Sequence, residues 1–324
     1  MGFLEDEIDR LRLKCIGCAK CTNVCPSYRH GGCDPMEIMI SGEEGYDLCI
    51  HCGNCSRVCR RSDPHRVIMN LAVINNGIQV SDTYRETGYS VPKVDSEADS
   101  LVPVWAEDGV RVMPGCIVKC RVPYVNYAAS VAFRAVGVDA VELPGNTCCM
   151  HPVQFRGMTE VERRSVKLAM GDSAGDKGMV TLCAGCGEEL EAAGINAPHI
   201  IQFLGDHMDA LPRFDREIKV AIQPGCSAMT HKRLMADVVR AMGCTPVNTS
   251  MGCCGKNVEV SVPLMEERMA ECARADVVVV GCPMCLVKYD AQEDGKPVVH
   301  IAELVAAAAG DRESLRFHRI PVDL

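Results

Sequence analysis

The stretch IKVAIQPGC, residues 218–226, carries a short apolar run into Pro-Gly-Cys, and VRVMPGC, residues 110–116, does the same earlier in the chain. Each reads as a β-strand with a cysteine at its carboxyl end. Beyond VRVMPGC come a helical stretch around 122–136, the strand-like VDAVELPG leading to Cys148 and Cys149, and a charged helical stretch near 158–171. GMVTLCAGC then ends in Cys183 and Cys186, with His199 further on. Beyond IKVAIQPGC come a helix near 229–242, CTPVNTSMGCC with Cys253 and Cys254, and a helix near 262–273. ADVVVVGCPMC follows with Cys282 and Cys285, and then His300. The order PGC, CC, CxxC, H therefore occurs twice, which is an internal repeat. Short β-rich runs alternating with helices predict a compact α/β unit with a small parallel sheet in each half.

The cysteines follow the predicted strands directly or by a few residues. Carboxyl ends of strands form the ligand crevice of an open α/β sheet. Cys116, Cys148, Cys149, Cys183 and Cys186 are thus expected to converge in one site, and Cys226, Cys253, Cys254, Cys282 and Cys285 in another. A disulfide between adjacent cysteines is strained. A tetrahedral zinc or an ordinary cluster uses four thiolates and leaves the fifth incidental. A redox dithiol at each CxxC leaves the doublets without a role. A five-cysteine iron–sulfur centre uses all ten residues.

A different cysteine pattern occupies the N-terminus. CIGCAKCTNVCP, residues 15–26, supplies Cys15, Cys18, Cys21 and Cys25 before Pro26, and CIHCGNCSRVC, residues 49–59, supplies Cys49, Cys52, Cys55 and Cys59. This is the C-x2-C-x2-C-x3-C spacing of two-cluster 4Fe–4S ferredoxins, in which the fourth cysteine of each run serves the other cluster. One cubane cluster is therefore assigned to Cys15, Cys18, Cys21 and Cys59, and the other to Cys49, Cys52, Cys55 and Cys25. Zinc motifs place two ligand pairs across a longer loop instead. Cys33 fits neither quartet and reads as a bystander, and Cys120, Cys244 and Cys272, outside the repeat, read as packing residues. Two such clusters without a substrate pocket make an electron wire.

Composition agrees with a metal-rich redox protein: 22 cysteines and 17 methionines against 4% aromatics in 324 residues. A net charge of −9 with no basic run argues against nucleic-acid binding. The N-terminal MGFLEDEIDRLRLK lacks the apolar core of a signal peptide, and no apolar run approaches a membrane span of about 20 residues. A cytoplasmic protein is expected, membrane-associated only through a partner, and clustered cysteines there are metal or redox groups rather than disulfides. Residues 75–109, rich in charge and turn formers, read as a linker. The expected organisation is an α-helical ferredoxin-like domain over 1–74, that linker, and α/β units over 110–212 and 213–324.

The arrangement C-x31-CC-x33-C-x2-C from Cys116 to Cys186 resembles the cysteine-rich CCG domain found in the catalytic component of heterodisulfide reductase, its B polypeptide. The second copy has the same order with gaps of 26 and 27 residues. The N-terminal segment resembles that enzyme's C polypeptide, so the whole resembles a C–B fusion of the D type. The resemblance implies a noncubane 4Fe–4S cluster in each CCG domain and a disulfide of coenzyme M and coenzyme B as substrate. About sixteen irons per chain follow, four for each cluster. It also implies a separate electron donor, a flavoprotein or a membrane cytochrome b, since the chain has no G-x-G-x-x-G fingerprint. One departure stands out: Met150 follows the first doublet, whereas Gly255 follows the second. Anionic substrate groups would need cations, for which Lys119, Arg121, Lys232, Arg233 and Lys256 are candidates. His151, His199 and His300 would orient thiolates or serve as caps, and the repeat of the last two favours a structural role. The same layout resembles the iron–sulfur components of glycolate oxidase and anaerobic glycerol-3-phosphate dehydrogenase, which pass electrons from a flavoprotein to a quinone.

Overall fold

The computed structural model describes every residue except Met1, Ser41, Asn248, Met251, 256–258 and 293–294. The chain forms two compact units: Met1–Asp82 with Pro152–Glu160 and Gly252–Glu267, and Thr83–His151 with Val161–Met251 and Arg268–Leu324.

The first unit is helical. Helix Gly2–Arg12 buries Leu4, Ile8 and Leu11, spaced to share one face. Helix Pro64–Asn76 starts on Asp63, whose carboxylate accepts the Arg66 N–H, and stops at Gly77 with φ 59°. It buries Val67, Ile68 and Leu71 against Ile8, Leu11, Ile38 and Met39. Glu7 ties the two helices together by accepting from Asn70 at 2.9 Å and pairing with Arg66 at 2.9 Å. Short helical turns (Lys20–Asn23, Pro26–Arg29, Asn54–Val58) carry the cysteine runs between them. Within the same unit, Glu267 pairs with Arg29 at 2.9 Å and meets His30 at 3.2 Å.

Among its described residues the second unit holds seven strands: β1 Val110–Met113, β2 Ala140–Glu142, β3 Met179–Thr181, β4 Lys219–Gln223, β5 Thr245–Val247, β6 Val277–Val280 and β7 Val298–His300. Their pairings are parallel, with order β2-β1-β3 in one sheet and β5-β4-β6-β7 in the other. The sheets are equivalent: a parallel bridge between Thr181 and His199 stands where β7 pairs with β6. All four residues of β6 are buried, as expected of a parallel strand covered on both faces. Helices Tyr124–Ala135, Glu160–Ala174, Lys232–Ala241 and Ser261–Glu271 fall where the sequence pattern places them. Residues 88–106 are bonded onto the first half of this unit: Cys148 N–H donates to the Gly88 carbonyl at 2.8 Å, and Val94 and Ala106 donate to the Cys120 and Ala140 carbonyls, each at 2.9 Å. Among the described residues no helix is long and apolar enough to cross a membrane.

Candidate metal centres

The two N-terminal cysteine loops share one backbone. Gly17 and His51, at matching positions between the first two cysteines, have φ of 65° and 53°, and Ala19 and Gly53, after the second, have 56° and 72°. Alternating left-handed residues turn successive N–H groups inward to form an anion-binding nest. Accordingly the Gly17 N–H points at the Cys15 sulfur at 3.5 Å and the His51 N–H at the Cys49 sulfur at 3.3 Å. Cys15, Cys18, Cys21 and Cys59 line one cavity of about 220 Å³, so the fourth cysteine of the second run joins the first three of the first. Cys25, in turn, lies beside Cys49 and Cys55, and Cys52 is their neighbour. Burial, then the charges of Cys49 and Cys52, hold the Cys55 thiol up. Cys33 is fully buried with its thiol against Cys49, closer to this quartet than a packing role requires. His51 and His65 place ring nitrogens within 4.8 Å of the Cys49 sulfur, which the spacing alone did not announce.

In the second unit the first five-cysteine set converges. Cys116 contacts Cys148, Cys148 contacts Cys149, Cys149 contacts Cys186, and Cys186 contacts Cys183. The Pro-Gly-Cys turn makes this packing feasible. Gly115 (φ 79°, ψ 169°) and Gly225 (φ 92°, ψ 160°) adopt a conformation open essentially to glycine alone. A Cβ on Gly115 would stand 2.9 Å from the Cys186 sulfur, and one on Gly225 2.8 Å from the Cys282 Cβ. Met150 also has a left-handed φ, 68°, and its N–H donates to the Cys148 sulfur at 3.4 Å. The matching Gly255 has φ 82°, and a Cβ there would collide with Ser261 at 2.5 Å. Methionine is thus tolerated at a strained position after the first doublet, whereas steric closeness demands glycine after the second.

Sequence spacing missed Ser90, whose hydroxyl supports Cys116 and Cys148 from the segment expected as linker. Missed too was the network behind His151, which packs on Gly185 within the CxxC turn. Its Nδ1 lies 3.5 Å from Glu189, which also pairs with the buried Lys167. Burial opposes ionisation of Glu189, yet His151 and Lys167 together draw its pKa down to about 2.

Of the second set, Cys226, Cys282 and Cys285 lie in the second unit, with Gly225 packed directly on Cys282. Cys253 and Cys254 belong to the first unit, where the Cys253 thiol donates at 3.7 Å to the carbonyl of Ile50, inside the Cys49–Cys52 loop. Between the halves of the second unit, Cys183 and Cys282 touch; the Cys183 contact raises Cys282 to about 11, and Cys183 itself is lowered. His300 donates from Nε2 to the Leu182 carbonyl at 3.1 Å, while the His199 ring packs against Gly281, so each histidine reaches the residue preceding the other half's CxxC. Both also cap helices: Nδ1 of His199 accepts the Ile201 N–H and Nδ1 of His300 the Ala302 N–H, each at 3.3 Å. Burial keeps both neutral, His199 down to about 3. The repeated histidines are structural caps.

Two of the five candidate cations have partners within the chain. Lys119 pairs with Glu142 at 2.7 Å, and Lys232 donates to the Thr249 carbonyl. Arg121 and Arg233 are exposed, and Lys256 lies outside the described residues. Cys120, Cys244 and Cys272 are buried, as packing residues are.

The donor sets fit iron–sulfur clusters. Soft thiolates in this density cannot all ionise unaided: Cys116 and Cys186 are pushed up by neighbouring thiols and burial while Cys149 falls to about 6 through contacts from Cys148 and Cys186. A cationic centre would relieve that conflict.

Comparison with known proteins agrees. Residues 8–63 match the family model described as a 4Fe-4S dicluster domain. The chain is 25% identical to the B component of the fumarate reductase (CoM/CoB) of Methanothermobacter marburgensis, over 95% of its length and 74% of that protein's. It is 26% identical to the B component of the ferredoxin/F(420)H(2)-dependent CoB-CoM heterodisulfide reductase of Methanosarcina acetivorans, over 60% of its length and 87% of the relative's. A crystal structure of a hypothetical protein from Helicobacter pylori superposes with a TM-score of 0.51 at 11% identity, covering 100% of this chain and 76% of that one, which is a likeness of fold alone. The chain is therefore an iron–sulfur protein of oxidoreductase type, homologous to the B components of multi-component reductases.

Proposed function

We propose that the protein reduces a small-molecule disulfide of the CoM–CoB kind at two adjacent five-cysteine centres, with electrons relayed through two ferredoxin-type clusters. The observation that carries this reading is the contact between Cys183 and Cys282, which sets the first cysteine set directly beside part of the second. Splitting R–S–S–R′ into two thiols consumes two electrons and two protons, and two neighbouring one-electron centres match that count. Cubane clusters at the N-terminal quartets and noncubane clusters at the five-cysteine sets would supply the one-electron chemistry.

The chain's own residues do the rest. Nest N–H groups point at the sulfurs of Cys15 and Cys49, and the Met150 N–H points at that of Cys148. The Cys253–Ile50 contact supports a route from the second quartet to the second doublet. Neutral capping by His199 and His300 fixes the two CxxC turns relative to each other without adding a charge. Both relatives are named for CoM and CoB, which supports this thiol pair as substrate and product.

The test is anaerobic turnover of the CoM–CoB heterodisulfide with reduced methyl viologen, on protein holding about sixteen irons. Turnover with release of two thiols per disulfide is expected. Absence of turnover at full iron content, alongside quinone reduction with a flavoprotein donor, would sink the proposal.

A further inference from the structure

The first quartet is the accessible one. Cys18 is exposed, Cys15 and Cys59 are half-buried and Cys21 is buried, whereas the second quartet has no exposed member: Cys49, Cys52 and Cys55 are buried and Cys25 is half-buried. Around its cavity stand Lys14, Lys20, Arg60 and Arg61, all four exposed, and no carboxylate lines it. None of the four forms an ion pair among the described residues. This concentration of positive charge occurs in a chain whose net charge is −9. Apolar side chains stand beside it: Leu13 is 87% exposed, Ile16 63% and Ile40 54%. Ile40 reaches within 3.9 Å of where a Gly17 Cβ would lie, which puts it against the Cys15–Cys18 loop. Large apolar residues this exposed beside a cofactor site mark an interaction surface. A few apolar contacts inside a charged rim suit brief electron-transfer encounters, which bury little area and gain their rate from electrostatic steering.

We infer that this face docks an acidic one-electron donor protein, making the first quartet the entry port for electrons. The inference deepens the relay proposed above by giving it a direction and a partner chemistry. Carboxylates on the donor meet Lys14, Lys20, Arg60 and Arg61, while Ile16 and Ile40 exclude water from the path. One electron passes per encounter: the donor is oxidised by one, and the chain is reduced by one.

The test uses the iron-loaded full chain with no disulfide present, so its result is independent of the final acceptor. A reduced acidic plant-type ferredoxin serves as donor; its affinity is measured by calorimetry with the oxidised pair, and the rate of cluster bleaching by stopped flow. Both are expected to weaken steeply as salt rises. The quadruple variant K14E/K20E/R60E/R61E is expected to lose at least about tenfold in rate at low salt and most of the salt dependence. The neutral variant K14Q/K20Q/R60Q/R61Q should fall between, and I16S/I40S should weaken affinity at every salt concentration. Bleaching by methyl viologen, which needs no docking, confirms in each case that the clusters are present. Variants that bind and accept electrons like wild type overturn the inference. So does loss of binding to phosphatidylglycerol vesicles without change in the ferredoxin rate, which would make the face a membrane contact.

Discussion

Gly115 and Gly225 show how little room a five-cysteine site leaves for its own backbone. Each glycine combines a glycine-only conformation with a sulfur or Cβ less than 3 Å from where its own Cβ would be. Gly115→Ala and Gly225→Ala are each expected to lose about four irons per chain, from the adjacent set, as measured by iron and sulfide analysis. Full iron in either variant would show that the turn has slack the geometry denies. Met150 illustrates the opposite balance. Its left-handed backbone costs roughly 1–2 kcal/mol, but the side chain is only 2% exposed, and burying a methionine returns about 1.5–3 kcal/mol. A departure that looks disabling in sequence is therefore sustainable in the fold.

At the scale of elements, the helix starts at His199 and His300 are matched capping boxes. The His199 ring accepts from Ile201 N–H while its own backbone N–H donates to Gln202, and the His300 ring accepts from Ala302 N–H while its own backbone N–H donates to Glu303. The second helix carries an extra feature, a buried ion cluster. Glu303 accepts from the His300 N–H at 2.9 Å and from His318 Nε2 at 3.0 Å, while Asp290 faces His318 Nδ1 at 3.6 Å. Burial works against a charge on His318, but Glu303 and then Asp290 outweigh it and raise its pKa to about 10. A raised pKa means that this stabilisation is fully present below the unfolded value of about 6.5 and is lost as pH climbs through about 10. The full contribution is on the order of 5 kcal/mol. Urea unfolding from pH 7 to pH 11 is expected to show wild type losing its advantage over His318→Gln steadily from pH 7 to about pH 10, with little left to lose above that. A constant difference between the two proteins over that range would refute it.

For the whole molecule, the decisive relation is the meeting of the two halves at Cys183 and Cys282. Cys282→Ser leaves all five cysteines of the first set intact, yet is expected to alter that set's electron paramagnetic resonance signal. An unchanged first-set signal would mean that the two sets act separately. The repeat and the strand positions could be read beforehand, because each follows from local spacing and hydrophobic period. The role of Ser90, the closeness of Cys33 to Cys49, and the occupation of Lys119 and Lys232 by Glu142 and the Thr249 carbonyl could not. These depend on segments distant in sequence folding back onto the site.

The sequence by itself determined the thiol inventory, its order and its twofold repetition, because ligand spacing and strand periodicity are local properties. Only the tertiary structure decided which CxxC cysteines face each other, that the repeated histidines serve as neutral caps, and which quartet lies open to a partner. Parallel strands and pseudo-symmetric halves bring residues together through long-range packing, and spacing along the chain does not encode which surfaces that packing leaves exposed.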